Sequence, residues 1–118
     1  GASVRYGYHR KNVYNLIKTN RLLLEQKKTT FFSLNLTARK EEKNTPETNP
    51  YVYKFLKKVN WEPSIKDVFA GRLDYPKLDF LNKLAILFIM IITNGPKDTS
   101  KTYELTDWSR VDALINKL

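Results

Sequence analysis

The chain predicts a small, mainly helical α+β domain of four to five helices with one or two short strands. Two patterns and one bulk property support this. Apolar residues recur at three- and four-residue spacing in several separate segments, which is the signature of amphipathic helices. One short segment alternates instead, with Phe32, Leu34 and Leu36 on one side and Ser33 and Asn35 on the other, which is the period of a strand. Across 118 residues, 42% hydrophobic and 13% aromatic content is enough to build one core.

The first helix is expected over residues 9–26, where Val13, Leu16, Ile17, Leu23 and Leu24 form a stripe and Asn20 marks a kink or an early end. The strand follows at residues 29–36. Residues 37–50 are polar, hold Pro46 and Pro50, and read as a loop. A second helix begins at Pro50 with Asn49 as its cap and Val52, Phe55, Leu56 and Val59 as its stripe. Residues 64–70 are expected to form a short helix stopped by Gly71. Residues 76–93 are expected to form the central helix, with a buried strand over 86–92 as the rival reading, and Asn94-Gly95-Pro96 ends either one. A short strand at 101–105 and a last helix from Trp108, capped by Thr106 or Asp107, complete the chain. Residues 1–8 are expected as a basic arm or leader, and 9–118 as a single globular domain with the loop at 37–50. The sequence opens on Gly1 rather than Met, which reads as a piece processed from something longer.

Charge is the other strong feature. Residues 1–60 carry thirteen Lys/Arg against four Glu, whereas residues 61–118 carry eight of each sign, so the net +9 lies in the first half. Such asymmetry points to a polyanionic partner met by one segment. Arg5, Arg10, Lys11, Lys18 and Arg21 lie among Tyr6, Tyr8 and Tyr14. Lys27 and Lys28 precede the strand, and Lys54, Lys57 and Lys58 surround Tyr51, Tyr53 and Phe55. Cations neutralise phosphates while neighbouring rings stack on bases, so these residues are the candidate nucleic-acid contacts. Within this basic stretch, His9 reads as a surface residue, since the chain has one His and no Cys.

Residues 55–88 resemble the repressor-type helix-turn-helix of phage and bacterial regulators. On that resemblance residues 55–59 are the first helix, Asn60 the turn and residues 64–70 the recognition helix. Gly71 and Pro76 form the link, and Leu78, Leu81, Leu84 and Ala85 belong to the next helix. The resemblance implies base contacts from Ser64, Lys66 and Asp67, with Arg72 alongside. The pattern departs from the family in its turn and Gly-to-Pro spacings and in Leu56, which stands where a small residue is usual.

Catalysis finds little in the residue types. With one His, no Cys and four Gly, the chain has no Cys/His arrangement and no glycine-rich phosphate loop. Its acidic residues are interleaved with Lys and Arg, as on a solvated face. No metal, cofactor or enzymatic activity is expected. The longest apolar run, residues 84–92, falls short of the about 20 residues that span a bilayer, so no membrane partner is expected. The sequence therefore predicts a non-enzymatic, intracellular (nuclear or cytoplasmic) nucleic-acid-binding regulatory module, with DNA favoured over RNA. The alternative is a protein-interaction domain of a larger regulatory, chromatin or viral assembly, with Trp61, Tyr75 and Tyr103 as its anchor candidates.

Overall fold

A computed structural model describes residues 1–5 and 8–118. Tyr6 and Gly7 lie outside the described residues, and with them the middle of the expected arm. The chain divides into two compact units, one of residues 1–71 with 106–118 and one of residues 72–105.

The first unit is organised by a four-stranded mixed sheet in the order β2-β1-β3-β4. Strand β1 (Ala2–Arg5) runs parallel to β3 (Thr30–Leu34), and β3 runs parallel to β4 (Ile65–Phe69). The two-residue β2 (Tyr8–His9) turns back antiparallel on β1. Parallel neighbours require long crossovers, and helices supply them. Helices α1 (Lys11–Thr19) and α2 (Arg21–Glu25) lead from β2 to β3, and α3 (Pro50–Val59) leads from β3 to β4. Asn20, expected as a kink or an end, is the break between α1 and α2.

The sequence of α3 dictates both its start and its stop. Asn49 caps it, accepting a hydrogen bond from the Val52 amide at 3.4 Å, and Pro50 opens the first turn. Val52, Phe55, Leu56 and Val59 lie at helical spacing and are all buried. Asn60 ends the helix in the left-handed conformation, at φ 51°, which Asn tolerates better than most residues. Phe31 of β3 stacks on Phe55 at 5.7 Å and meets the Trp61 ring edge-on at 6.0 Å. Each fully buried side chain of this size contributes about 1.5–3 kcal/mol.

Two expectations change here. The mainly helical class is corrected to a parallel-sheet α/β arrangement in this unit, because residues 64–70 form β4 rather than a helix. Ile65, Val68 and Phe69 favour strands, and a five-residue register against β3, from Thr30 opposite Ile65 to Leu34 opposite Phe69, decides the matter. Although β4 stands at the edge of the described sheet, Asp67, Val68 and Phe69 are buried in succession, so it lacks the alternation that marks a strand with one solvated face. That assignment also removes the recognition helix on which the helix-turn-helix resemblance depended. In addition, residues 1–8, expected as an arm, contribute β1 and the start of β2 to the sheet.

Polar groups tie α5 (Trp108–Asn116) into the same unit. Arg110 donates to the Asp67 carboxylate on β4 and to the Asn44 carbonyl. Asp107 caps the helix through the Ser109 amide at 3.1 Å.

In the second unit, β5 (Arg72–Asp74) pairs antiparallel with β6 (Thr102–Glu104). Helix α4 (Phe80–Ile92) resolves the helix-or-strand alternative for residues 86–92 in favour of helix. Asp79 caps it through the Asn82 amide at 2.8 Å. Tyr75 is fully buried, donates to the Pro96 carbonyl at 2.6 Å and meets Tyr103 edge-on at 6.1 Å.

Candidate functional site: an aromatic cleft rimmed by lysines

The carboxyl ends of β1 and β3 point their following loops to one edge of the sheet. After β1 come Tyr8 to Lys11. After β3 come a 3₁₀ turn at Leu36–Arg39, a second at Glu41–Lys43, and the start of α3. Between residues 8–14 and α3 lies a cleft of about 760 Å³ lined by Tyr8, His9, Lys11, Tyr14, Pro50, Tyr51, Lys54, Phe55 and Lys58. Three lysines from two helices thus meet around four aromatic side chains and one imidazole. The Lys58 ammonium sits 4.9 Å from the Tyr14 ring centre, a cation–π distance that holds it over the ring.

His9 is built into one wall. Its Nε2 lies 2.7 Å from the Ser33 hydroxyl of β3, and its ring packs 4.4 Å from Phe55. Burial lowers its pKa from 6.5 to about 4, so the ring is neutral at physiological pH. Read as a surface residue from its isolation in the sequence, it is instead half-buried. Behind it runs a buried amide network. Asn35 donates to Ser33 Oγ at 3.3 Å, Asn49 donates to Asn35 Oδ1 at 3.0 Å and to the Lys43 carbonyl at 2.9 Å. This network fixes the loop after β3 to the start of α3, and with it the cleft's far wall.

The candidate cations do not form one patch. Lys11, Lys54 and Lys58 rim this cleft, while Arg21, Lys57 and Lys66 line a second hollow near Trp61. Of these, Arg21 pairs with Glu25 at 3.7 Å and Lys66 with Glu62 at 2.6 Å. Lys18 lies 5.6 Å from the Tyr14 ring centre, and Arg10, Lys27 and Lys28 are exposed. Arg5 is the last residue of β1. The Ser64 hydroxyl accepts from the Thr29 amide at 3.2 Å, pinning the start of β4 beside β3. Arg72 lies in the second unit, 3.7 Å from Asp74. Trp61 and Tyr75 are buried and Tyr103 is half-buried, so the first two offer no exposed ring to a partner. Among the described residues, no three His, Cys, Asp or Glu side chains gather as metal ligands would. No helix there is long and apolar enough to cross a membrane.

A parallel sheet with helical crossovers and a cleft at the loops after its strands is the arrangement of doubly wound α/β proteins, which bind ligands at the carboxyl ends of their strands. Comparison with known proteins narrows that class. The flavodoxin domain family matches residues 1–100, and the chain belongs to it. The protoporphyrinogen IX dehydrogenase [quinone] of Leishmania major is 44% identical over 111 residues, covering 94% of this chain and 48% of the relative. The enzyme of the same name from Escherichia coli K12 is 40% identical over 111 residues, covering 94% and 61%. The chain therefore spans about half to three-fifths of the length of these relatives. No solved structure matches it.

These findings overturn the regulatory reading. The family is a flavodoxin domain rather than a helix-turn-helix repressor, and the relatives carry the name of an enzyme acting on a small molecule and a quinone. The non-enzymatic, nucleic-acid-binding expectation is corrected accordingly, and with it the alternative of a regulatory, chromatin or viral interaction module. The Tyr–Lys interleaving was visible in the sequence, but its partner class was misjudged. Aromatic rings and ammonium groups suit any flat, anionic ligand, and a nucleic acid is only one of these.

Proposed function

We propose that this chain carries the substrate cleft of a flavin-dependent oxidoreductase that oxidises a carboxylate-bearing tetrapyrrole, protoporphyrinogen IX, with a quinone as the final electron acceptor. The observation that carries this reading is the cleft itself. Tyr8, Tyr14, Tyr51 and Phe55 offer apolar ring surface for a large macrocycle, and Lys11, Lys54 and Lys58 offer three ammonium groups at its rim. A tetrapyrrole with two propionates needs that combination: a greasy body and cations at one edge. The neutral His9 presents no charge to the apolar macrocycle and keeps one side of the cleft free of competing cation.

Flavodoxin-type sheets hold FMN at the carboxyl ends of their strands, and the residues of that edge fit its ring portion. Tyr8 follows β1 with 77% of its surface exposed, ready to cover a planar ring. The turn after β3 brings the half-buried Leu36, Thr37, Arg39 and Lys40 to the same edge, a mix of apolar, hydroxyl and cationic groups suited to a heterocycle rich in hydrogen-bonding atoms. When bound, the flavin supplies two-electron acceptance from the reduced macrocycle and re-oxidation by the quinone. The chain's own residues bind and orient the tetrapyrrole: the lysines by its carboxylates, Tyr51 and Phe55 by its face.

Replacing Lys54 and Lys58 together by Ala is expected to weaken binding of protoporphyrin IX, the stable oxidised product, at least tenfold in a fluorescence titration of the protein. Unchanged affinity would remove the cleft from the account.

A further inference from the structure

The hydrogen bonds behind the cleft have a direction, and it is set at the cap of α3. Asn49 Oδ1 accepts from the Val52 amide, which can only donate, and Asn49 Nδ2 donates to the Lys43 carbonyl, which can only accept. These two contacts fix which end of the Asn49 amide is oxygen and which is nitrogen. Asn49 Nδ2 also donates to Asn35 Oδ1 at 3.0 Å, so the other end of the Asn35 amide is its nitrogen. That nitrogen donates to Ser33 Oγ at 3.3 Å and to Asn49 Oδ1 at 3.3 Å. Ser33, Asn35 and Asn49 are all buried, so each of these groups has to find its partner inside the protein. With Asn35 donating to it, the Ser33 hydroxyl keeps its own hydrogen for its remaining partner among the described residues, His9 Nε2 at 2.7 Å. A ring proton on Nε2 would leave that hydroxyl hydrogen buried without an acceptor. The single proton of the neutral ring therefore belongs on Nδ1.

Resting, for its ligand, on the proposed flavin- and quinone-linked function, we infer that the Asn49–Asn35–Ser33 relay locks His9 in the Nδ1–H tautomer and makes it an uncharged hydrogen-bond donor to a ring carbonyl oxygen in the cleft. His9 is part of the cleft lining, and its Nε2 is spent on β3. Nδ1 makes no hydrogen bond among the described residues, which leaves it as the ring nitrogen for a ligand. The other donors at the rim are the ammonium groups of Lys11, Lys54 and Lys58, which suit carboxylates. An uncharged N–H suits an uncharged acceptor instead. The reduced macrocycle proposed for the cleft offers ring N–H groups and carboxylates, with no carbonyl on its rings. A flavin and a quinone each carry ring carbonyls, and that shared chemistry is what the imidazole is set to read. Ser33, Asn35 and Asn49 are positioning residues, acting through His9. Their hydrogen bonds also take Nε2, the nitrogen able to accept a proton, out of use as a base.

The chain has one histidine, so its two ring nitrogens can be read directly in a long-range ¹⁵N–¹H correlation spectrum of the histidine-labelled protein at neutral pH. The wild type is expected to show a pyrrole-type Nδ1 and a pyridine-type Nε2. Ser33→Ala is expected to return the ring to the Nε2–H form that predominates for histidine in water, a change that loss of a merely structural serine would not produce. Adding FMN, or menadione in a separate arm, is expected to move the Nδ1 signal, and the arm that moves it names the source of the carbonyl. Three results overturn the inference: a wild-type ring with its proton on Nε2, a folded Ser33→Ala protein that keeps it on Nδ1, or an Nδ1 signal unmoved by FMN and by menadione up to the solubility limit of each. The wild-type spectrum decides the tautomer even where Ser33→Ala does not fold. Neither probe is a tetrapyrrole, so the outcome is independent of whether Lys54 and Lys58 bind one.

Discussion

His9 shows how one side chain couples fold and site. Burial against Phe55 and Phe31 holds its pKa at about 4, against 6.5 when solvated. Between those values the unfolded chain binds a proton that the folded chain refuses, so stability rises with pH through this window. The contribution is fully present above about pH 6.5 and is lost as the pH falls toward 4. Discounted for the ring's partial exposure, the loss amounts to roughly 1–2 kcal/mol. Urea unfolding of the wild type and His9→Gln between pH 7 and 4.5 should show this slope in the first and a flatter one in the second. Parallel profiles would mean that the ring is solvated. Sequence alone had no route to this. A lone His among cations looks solvated, and only the pairing of β2 with β1, beside β3, brings it to Ser33.

At the scale of elements, α3 was legible and β4 was not, for a physical reason. Helix α3 announces itself locally: a capping Asn, an N-terminal Pro, a stripe at i, i+3, i+4 and i+7, and an Asn able to close it in the left-handed region. Strand β4 is defined by what lies beside it, and seven residues between turns satisfy either period. The charge pattern misled similarly, since Lys54, Lys57 and Lys58 are adjacent in sequence yet Lys57 faces a different hollow from the other two. Asn49 carries more than its cap, because it is fully buried and also serves Asn35 and the Lys43 carbonyl. Asn49→Ala removes those partners together and should cost about 2–4 kcal/mol in chemical denaturation. A loss below about 1 kcal/mol would show that the network adds nothing to the cap.

For the whole molecule, family membership rearranges what the charge means. The +9 of the first sixty residues is spread over two hollows and exposed loops, and the part of it on which the proposed function draws is the three lysines around the aromatic cleft. The apolar run at residues 84–92, expected from the sequence to belong to a central helix or a buried strand, lies in a helix that leaves much of its surface uncovered. The central claim is that the cleft between the segment after β1 and α3 holds the tetrapyrrole. Its most direct test is a titration of the isotope-labelled protein with protoporphyrin IX, followed by amide chemical shifts. The account predicts that the largest shifts fall in residues 8–14 and 51–58. Shifts confined to other segments, or none at saturating ligand, would contradict it.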